Sequence, residues 1–176
     1  MKSLTVEKLI SDIGDLKAGD QLLLSGTVYT ARDAAHKRIA EMISQGRDLP
    51  IDLKNKVIYY CGPCPAKPGY AIGSCGPTTS SRMDPLTPLL LANGVKATIG
   101  KGPRALPVIE AMKINKAVYL AATGGAGALY ASKVRKASLI AFGDLGPEAV
   151  YAFELLDFPV IVANDVYGND IFKRAS

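Results

Sequence analysis

The chain predicts an α/β fold, and three observations carry that expectation. Short apolar runs of strand type recur at 21–29, 56–60, 95–99 and 117–122. Stretches of helical character separate them, at 30–44, 85–92 and 104–114. Two of the strand runs end in glycine-rich turns, Gly100-Lys101-Gly102 and Thr123-Gly124-Gly125, where parallel sheets place their ligands. A length of 176 residues suits one domain over 1–176. Such a chain buries about 70% of its unfolded surface and needs no disulfide to fold.

Composition narrows the function classes. Net charge is +5, from 21 Lys+Arg against 16 Asp+Glu, which suits an anionic partner. There is no basic run and no tryptophan, so nucleic acid is not the expected anion. No apolar stretch reaches membrane length, and Met1 to Thr5 begins no apolar leader. Three cysteines is an odd count, which points to free thiols and a cytoplasmic setting.

In chain order, residues 4–16 have the spacing of a short helix or irregular lead-in. Gln21 to Tyr29 is a strand, with Gly26 marking a bulge or a close approach. Thr30-x-x-Asp33 resembles a capping box, and Asp33 with Lys37 reads as an outer-face pair. Ala35, Ile39, Met42 and Ile43 form the inner stripe, and Arg32 falls on the same side with His36 on its flank. An arginine facing the packed side either snorkels or lines a cleft and holds an anion.

Gly46 to Asn55 is a loop and Lys56 to Tyr60 a strand, running into Cys61-Gly62-Pro63-Cys64. A C-x-x-C after a strand is a redox signature, but Pro65 and Pro68 oppose the helix that would activate the thiol. Cys61, Cys64 and Cys75 could instead hold an iron–sulfur cluster, though nothing else looks built for a metal. Tyr70 to Ser74 reads as a short strand. After it, Gly76-Pro77-Thr78-Thr79-Ser80-Ser81-Arg82-Met83 is a hydroxyl-rich loop. Asp84 then reads as an N-cap, with Pro85 at the first helical position and Asn93-Gly94 as the stop. The Thr123–Ala128 stretch lacks dinucleotide-loop spacing and reads as a close-packing device. Ser138 to Phe142 and Val160 to Ala163 are further strands, with a helix near 147–155 between them, and 167–176 is a polar tail.

Arg32, Arg82 and Lys101 hold comparable places and could converge on one cleft, as a dicarboxylate or phosphorylated acid would require. No convincing base accompanies them, so the residues describe half a site. One reading is a partnered enzyme; the other is a non-catalytic anion-binding module.

Four segments resemble class I, iron–sulfur fumarases in register: Gly26 to Arg38, Gly76 to Met83, Ile99 to Gly102, and Phe142 to Ala149. The match is to the β subunit, or C-terminal domain, and the L(+)-tartrate dehydratase β subunit is closely similar. This resemblance implies a swivelling β/β/α domain with a central mixed sheet flanked by helices. It implies a hetero-oligomer with an α subunit whose cysteines, rather than Cys61, Cys64 or Cys75, hold a 4Fe–4S cluster. Residue by residue, it implies that Arg32, Arg82 and Lys101 bind the dicarboxylate. Thr78 is then the proton-transfer candidate and His36 a weaker one. The implied reaction is reversible hydration of fumarate to L-malate, with tartrate dehydration as the alternative.

Overall fold

The computed structural model describes residues 1–173. They form seven strands and five α-helices. In order these are β1 (Lys2–Thr5), α1 (Val6–Ser11), β2 (Gln21–Thr30), α2 (Asp33–Ser44), β3 (Val57–Tyr59), α3 (Thr87–Ala92), β4 (Ala97–Gly100), α4 (Leu106–Asn115), β5 (Val118–Ala121), α5 (Gly127–Ser132), β6 (Val134–Ala141) and β7 (Val150–Asn164). The sheet is mixed, in the order β1-β2-β3-β4-β5-β7-β6. Because β2 also pairs with β7, the order β2-β3-β4-β5-β7 closes on itself.

Alternation along the strands separates two apolar layers. Tyr59, Ile99 and Leu120 point to one side, against Leu22, Leu24, Phe153 and Phe158 of the long strands β2 and β7. Ile58, Tyr60 and Tyr119 point to the other, against Ile39 of α2, Leu90 and Leu91 of α3, and Val108 and Met112 of α4. A fully buried side chain such as Ile39 or Leu24 contributes about 2 kcal/mol of transfer free energy. The expected mixed sheet with flanking helices is therefore present.

Gly26 fulfils both expectations attached to it. The β2–β7 register slips between Leu24 and Gly26. Its φ is +114°, and a Cβ there would lie 3.3 Å from the Val6 side chain.

Four readings from the sequence are corrected. The helix expected near 147–155 is a 3₁₀ turn (Gly143–Glu148) followed by β7. Gly146, at φ +56°, kinks this segment just before Pro147, and the run from Val150 pairs on both edges, with β2 and with β6. Tyr70–Ser74 is not a strand; this segment lies against Cys64 through two backbone hydrogen bonds. The stretch 4–16, read as a short helix or irregular lead-in, does hold the short helix α1, but its first two residues belong to β1, a parallel strand beside β2. The α2 cap also differs: Thr30 ends β2, and Arg32 occupies the N-cap.

Strands β2, β3, β4 and β5 are mutually parallel neighbours, and this positions the site. Their carboxyl ends share one rim. Thr30, Tyr59, Ile99 and Leu120 lie in one row of the pairing. Two residues further along each chain are Arg32, Cys61, Lys101 and Ala122. Arg32 and Lys101 thus leave the sheet two strands apart, a backbone separation of about 10 Å.

Candidate functional site

Arg32 is the backbone hinge between β2 and α2, with the Ala31 amide donating to the Tyr59 carbonyl. Its guanidinium lies 3.8 Å from Asp33 and 3.5 Å from Glu148. Glu148 has a second task. Its carboxylate accepts from the Ala34 amide at 2.9 Å, so it caps α2 from outside, where the positive helix end favours an anion. Gly62 makes room for Arg32: a Cβ at that position would lie 2.8 Å from Nη1.

Arg82 arrives from the hydroxyl loop, in a short 3₁₀ turn spanning Ser80–Arg82. That loop is laid along the sheet edge by backbone bonds. The Thr78 amide donates to the Tyr60 carbonyl at 2.7 Å, the Lys101 amide to Thr78, and the Ser80 amide to Lys101. Arg82 Nε then donates to Asp33 Oδ1 at 3.1 Å. Asp33 therefore faces both arginines, not Lys37 on the outer surface as its spacing suggested. The terminal nitrogens of Arg82 make no hydrogen bond among the described residues, so its fork is open. Its side chain is 52% exposed.

Thr78 and Lys101 are joined through the same backbone bridge. The Lys101 side chain lies over Gly124, its Nζ 3.7 Å from where a Cβ would be, and it has no ion-pair partner among the described residues. The Thr78 hydroxyl likewise makes no hydrogen bond there. Two groups are thus drawn together: Arg32 with Arg82 around Asp33, and Thr78 with Lys101 on the neighbouring strand end. None of three clefts of about 350–470 Å³ elsewhere on the chain is lined by these residues.

His36 lies one turn into α2 and is only 1% exposed. Its Nδ1 is 2.9 Å from the Arg32 carbonyl, which can only accept, so Nδ1 carries the ring proton. Nε2 is buried without a hydrogen-bond partner, and Arg32 Nε and Asp33 Oδ2, though within ion-pair distance of each other, likewise make no hydrogen bond. Burial lowers the His36 pKa to about 4, outweighing the bond to Arg32. The imidazole is neutral, and it braces the Arg32 backbone from behind.

Sequence reasoning missed Arg104, which it treated as the first residue of a helix. Its side chain is fully buried and donates through Nε to Asp84 at 2.7 Å. Asp84 also accepts from the Ala105 amide, so it braces this segment and does not cap α3. The available signal was Asp84 with Arg104, opposite charges in two turn segments, but 20 residues of separation leave no periodic trace.

The cysteines do not form a metal site. Cys61 and Cys75 are free thiols, both buried in the apolar layer, and the thiol hydrogen bond to Cys75 pushes the Cys61 thiol well up, aided by burial. Cys64 is exposed, and residues 61–68 form no helix. Among the described residues no three His, Cys, Asp or Glu side chains are placed to hold a metal. The residues here do not fit an iron–sulfur cluster. No described helix is long and apolar enough to cross a membrane.

Comparison with known proteins gives a consistent result. The family model described as "Fumarase C-terminus" matches residues 2–175. Fumarate hydratase 2 of Leishmania major is 37% identical over 171 residues, covering 96% of this chain and 30% of that protein. The anaerobic class I fumarate hydratase of Escherichia coli is 34% identical, covering 96% and 31%. A Methanocaldococcus jannaschii protein named for the L(+)-tartrate dehydratase subunit beta is 39% identical, covering 94% of this chain and 88% of its own length. The chain spans about three tenths of the two fumarate hydratases.

Proposed function

The chain belongs to the fumarase C-terminus family, and from that premise we propose that it is the β subunit of a class I fumarate hydratase. In this reading it interconverts fumarate and L-malate only together with an iron–sulfur α subunit. The fold is then the swivelling β/β/α domain of that family, in a cytoplasmic hetero-oligomer. The observation that carries the reading is the pair Arg32 and Arg82, held around Asp33 with the Arg82 fork unpartnered.

The roles follow from the chemistry. Arg82 grips one substrate carboxylate with its open fork, and Arg32 supports the same end. Lys101 meets the other carboxylate. Removing the proton next to a carboxylate drives charge into that carboxylate. Fixed cations favour this charge-rich state over the ground state. Thr78 carries the proton, working with an acidic group of the partner, because an unassisted threonine hydroxyl is a poor base. His36 keeps Arg32 in place and does not itself reach the substrate. In this reading the iron–sulfur cluster belongs to the partner, where it would supply Lewis-acid chemistry at the hydroxyl of L-malate. Tartrate dehydration is the second reading, favoured by the relative that this chain matches over most of its length.

The test is anaerobic co-expression with a family α subunit, followed by assay on fumarate, L-malate and L(+)-tartrate. Turnover is expected from the pair and none from this chain alone. Full activity of the single chain without iron would defeat the proposal, and preference for tartrate would select the second reading.

A further inference from the structure

Tyr119 stands on β5 with its ring fully buried, and its hydroxyl touches two separate loops. It donates to the Gly102 carbonyl at 2.9 Å and lies 2.9 Å from Ser80 Oγ. A phenol has one proton and a carbonyl only accepts, so Ser80 must be the donor to the tyrosine oxygen. Burial raises the Tyr119 pKa to about 12, so the donor persists at neutral pH.

These two loops carry the proposed substrate cations. Gly102 follows Lys101, and Ser80 lies two residues before Arg82. On the other flank of Arg82, Asp84 is held by Arg104. Arg104 further donates to Thr98 at 3.1 Å, to Thr87 at 2.8 Å and to the Tyr60 hydroxyl at 3.2 Å. Its guanidinium also lies 4.9 Å from the centre of the Tyr119 ring. A buried ion pair is often no more stabilising than an apolar group of the same volume. What this network does supply is a fixed geometry, bracketing Arg82 at both ends and tying it to the Lys101 loop.

We propose that the Tyr119 hydroxyl, backed by Arg104, is a positioning strut that sets the separation of Arg82 and Lys101, and thereby which dicarboxylate the pair accepts. The proposal rests on the dicarboxylate reading above. Neither residue touches substrate; both act through the loops.

Tyr119→Phe tests it, since the ring and its contact with Arg104 remain. Two readouts are made on the full chain assembled with its α partner. Hydrogen exchange at the Ser80 and Lys101 amides is expected to rise about tenfold, with α2 unchanged. Inhibition is measured with malonate, succinate and glutarate. The wild type is expected to favour one chain length, and the variant to bring the three within about twofold of each other. KM should rise roughly fivefold, with kcat changed less, because both hydrogen bonds of the strut are lost while no group that touches substrate is removed. Ser80→Ala cuts the same strut from the other side and should shift both readouts in the same direction. In an active assembly, an unchanged inhibitor ratio for both variants overturns this proposal alone. An assembly inactive on fumarate, malate and tartrate overturns the functional reading and this proposal with it.

Discussion

Asp33 is one carboxylate between two arginines, and its surroundings decide what each can do. It engages Arg82 only through Nε, leaving the fork for a guest. Lysine cannot reproduce that fork. Arg82→Lys should therefore cost the assembled enzyme tenfold or more in activity, roughly the loss of one charge-assisted bond. Arg82 is half exposed, so the melting temperature should move by no more than about 2 °C. Equal losses of activity and stability would count against the site. His36 gives a pH signature. Its pKa is about 4 folded against 6.5 for the free side chain, so the folded state binds fewer protons between those values. Stability is complete above pH 6.5 and falls as pH drops toward 4, by up to ~3 kcal/mol. Urea titrations at pH 7 and pH 4.5 should show this loss, and His36→Gln should remove it. Of the proposed site, Arg82 and Lys101 stand out in the sequence because turn residues and glycines flank them, and Arg32 because it falls on the packed side of its helix; Thr78 is pointed to by the family resemblance alone. Asp33 was misread because its true partner lies 49 residues away.

At the level of elements, α2 depends on a carboxylate that is not its own. Arg32 at the N-cap offers no acceptor, and Glu148 supplies one to the Ala34 amide. Glu148→Ala should lower stability by about 1 kcal/mol, the usual worth of a cap. Glu148→Gln keeps an acceptor oxygen but loses the charge facing Arg32, so it should cost less. Urea midpoints that place Gln below Ala would contradict the capping role. The strands β2, β3, β4 and β5 were readable as apolar runs between turn signals. The error at 147–155 has a physical origin. The segment Val150 to Leu155 contains residues that suit either state, and one of its two partners, β2, is distant in sequence. Tertiary pairing overrode a local pattern, and the closure of the sheet through β7 could not be foreseen.

For the whole molecule, the question is what the cationic rim does in the chain by itself. Three cations, Arg32, Arg82 and Lys101, stand near two carboxylates, Asp33 and Glu148, so the rim retains positive charge. It is open on one side: Arg82 is 52% exposed and Arg32 23% exposed. Charges in that setting act through water and are screened over about 20 Å at 0.02 M salt but only about 7 Å at 0.2 M. The isolated chain should thus hold L-malate weakly, and its Kd should rise about threefold or more across that salt range. On the proposed reading an α subunit would cover the rim and exclude water, and buried charge pairs are screened far less. KM of the assembled enzyme should consequently change less than the Kd of the chain alone over the same range. Titration calorimetry on the chain and kinetics on the pair, in matched buffers, supply the comparison. If KM proves as salt-sensitive as Kd, the partner does not close over these residues, and the shared-site reading loses its physical basis.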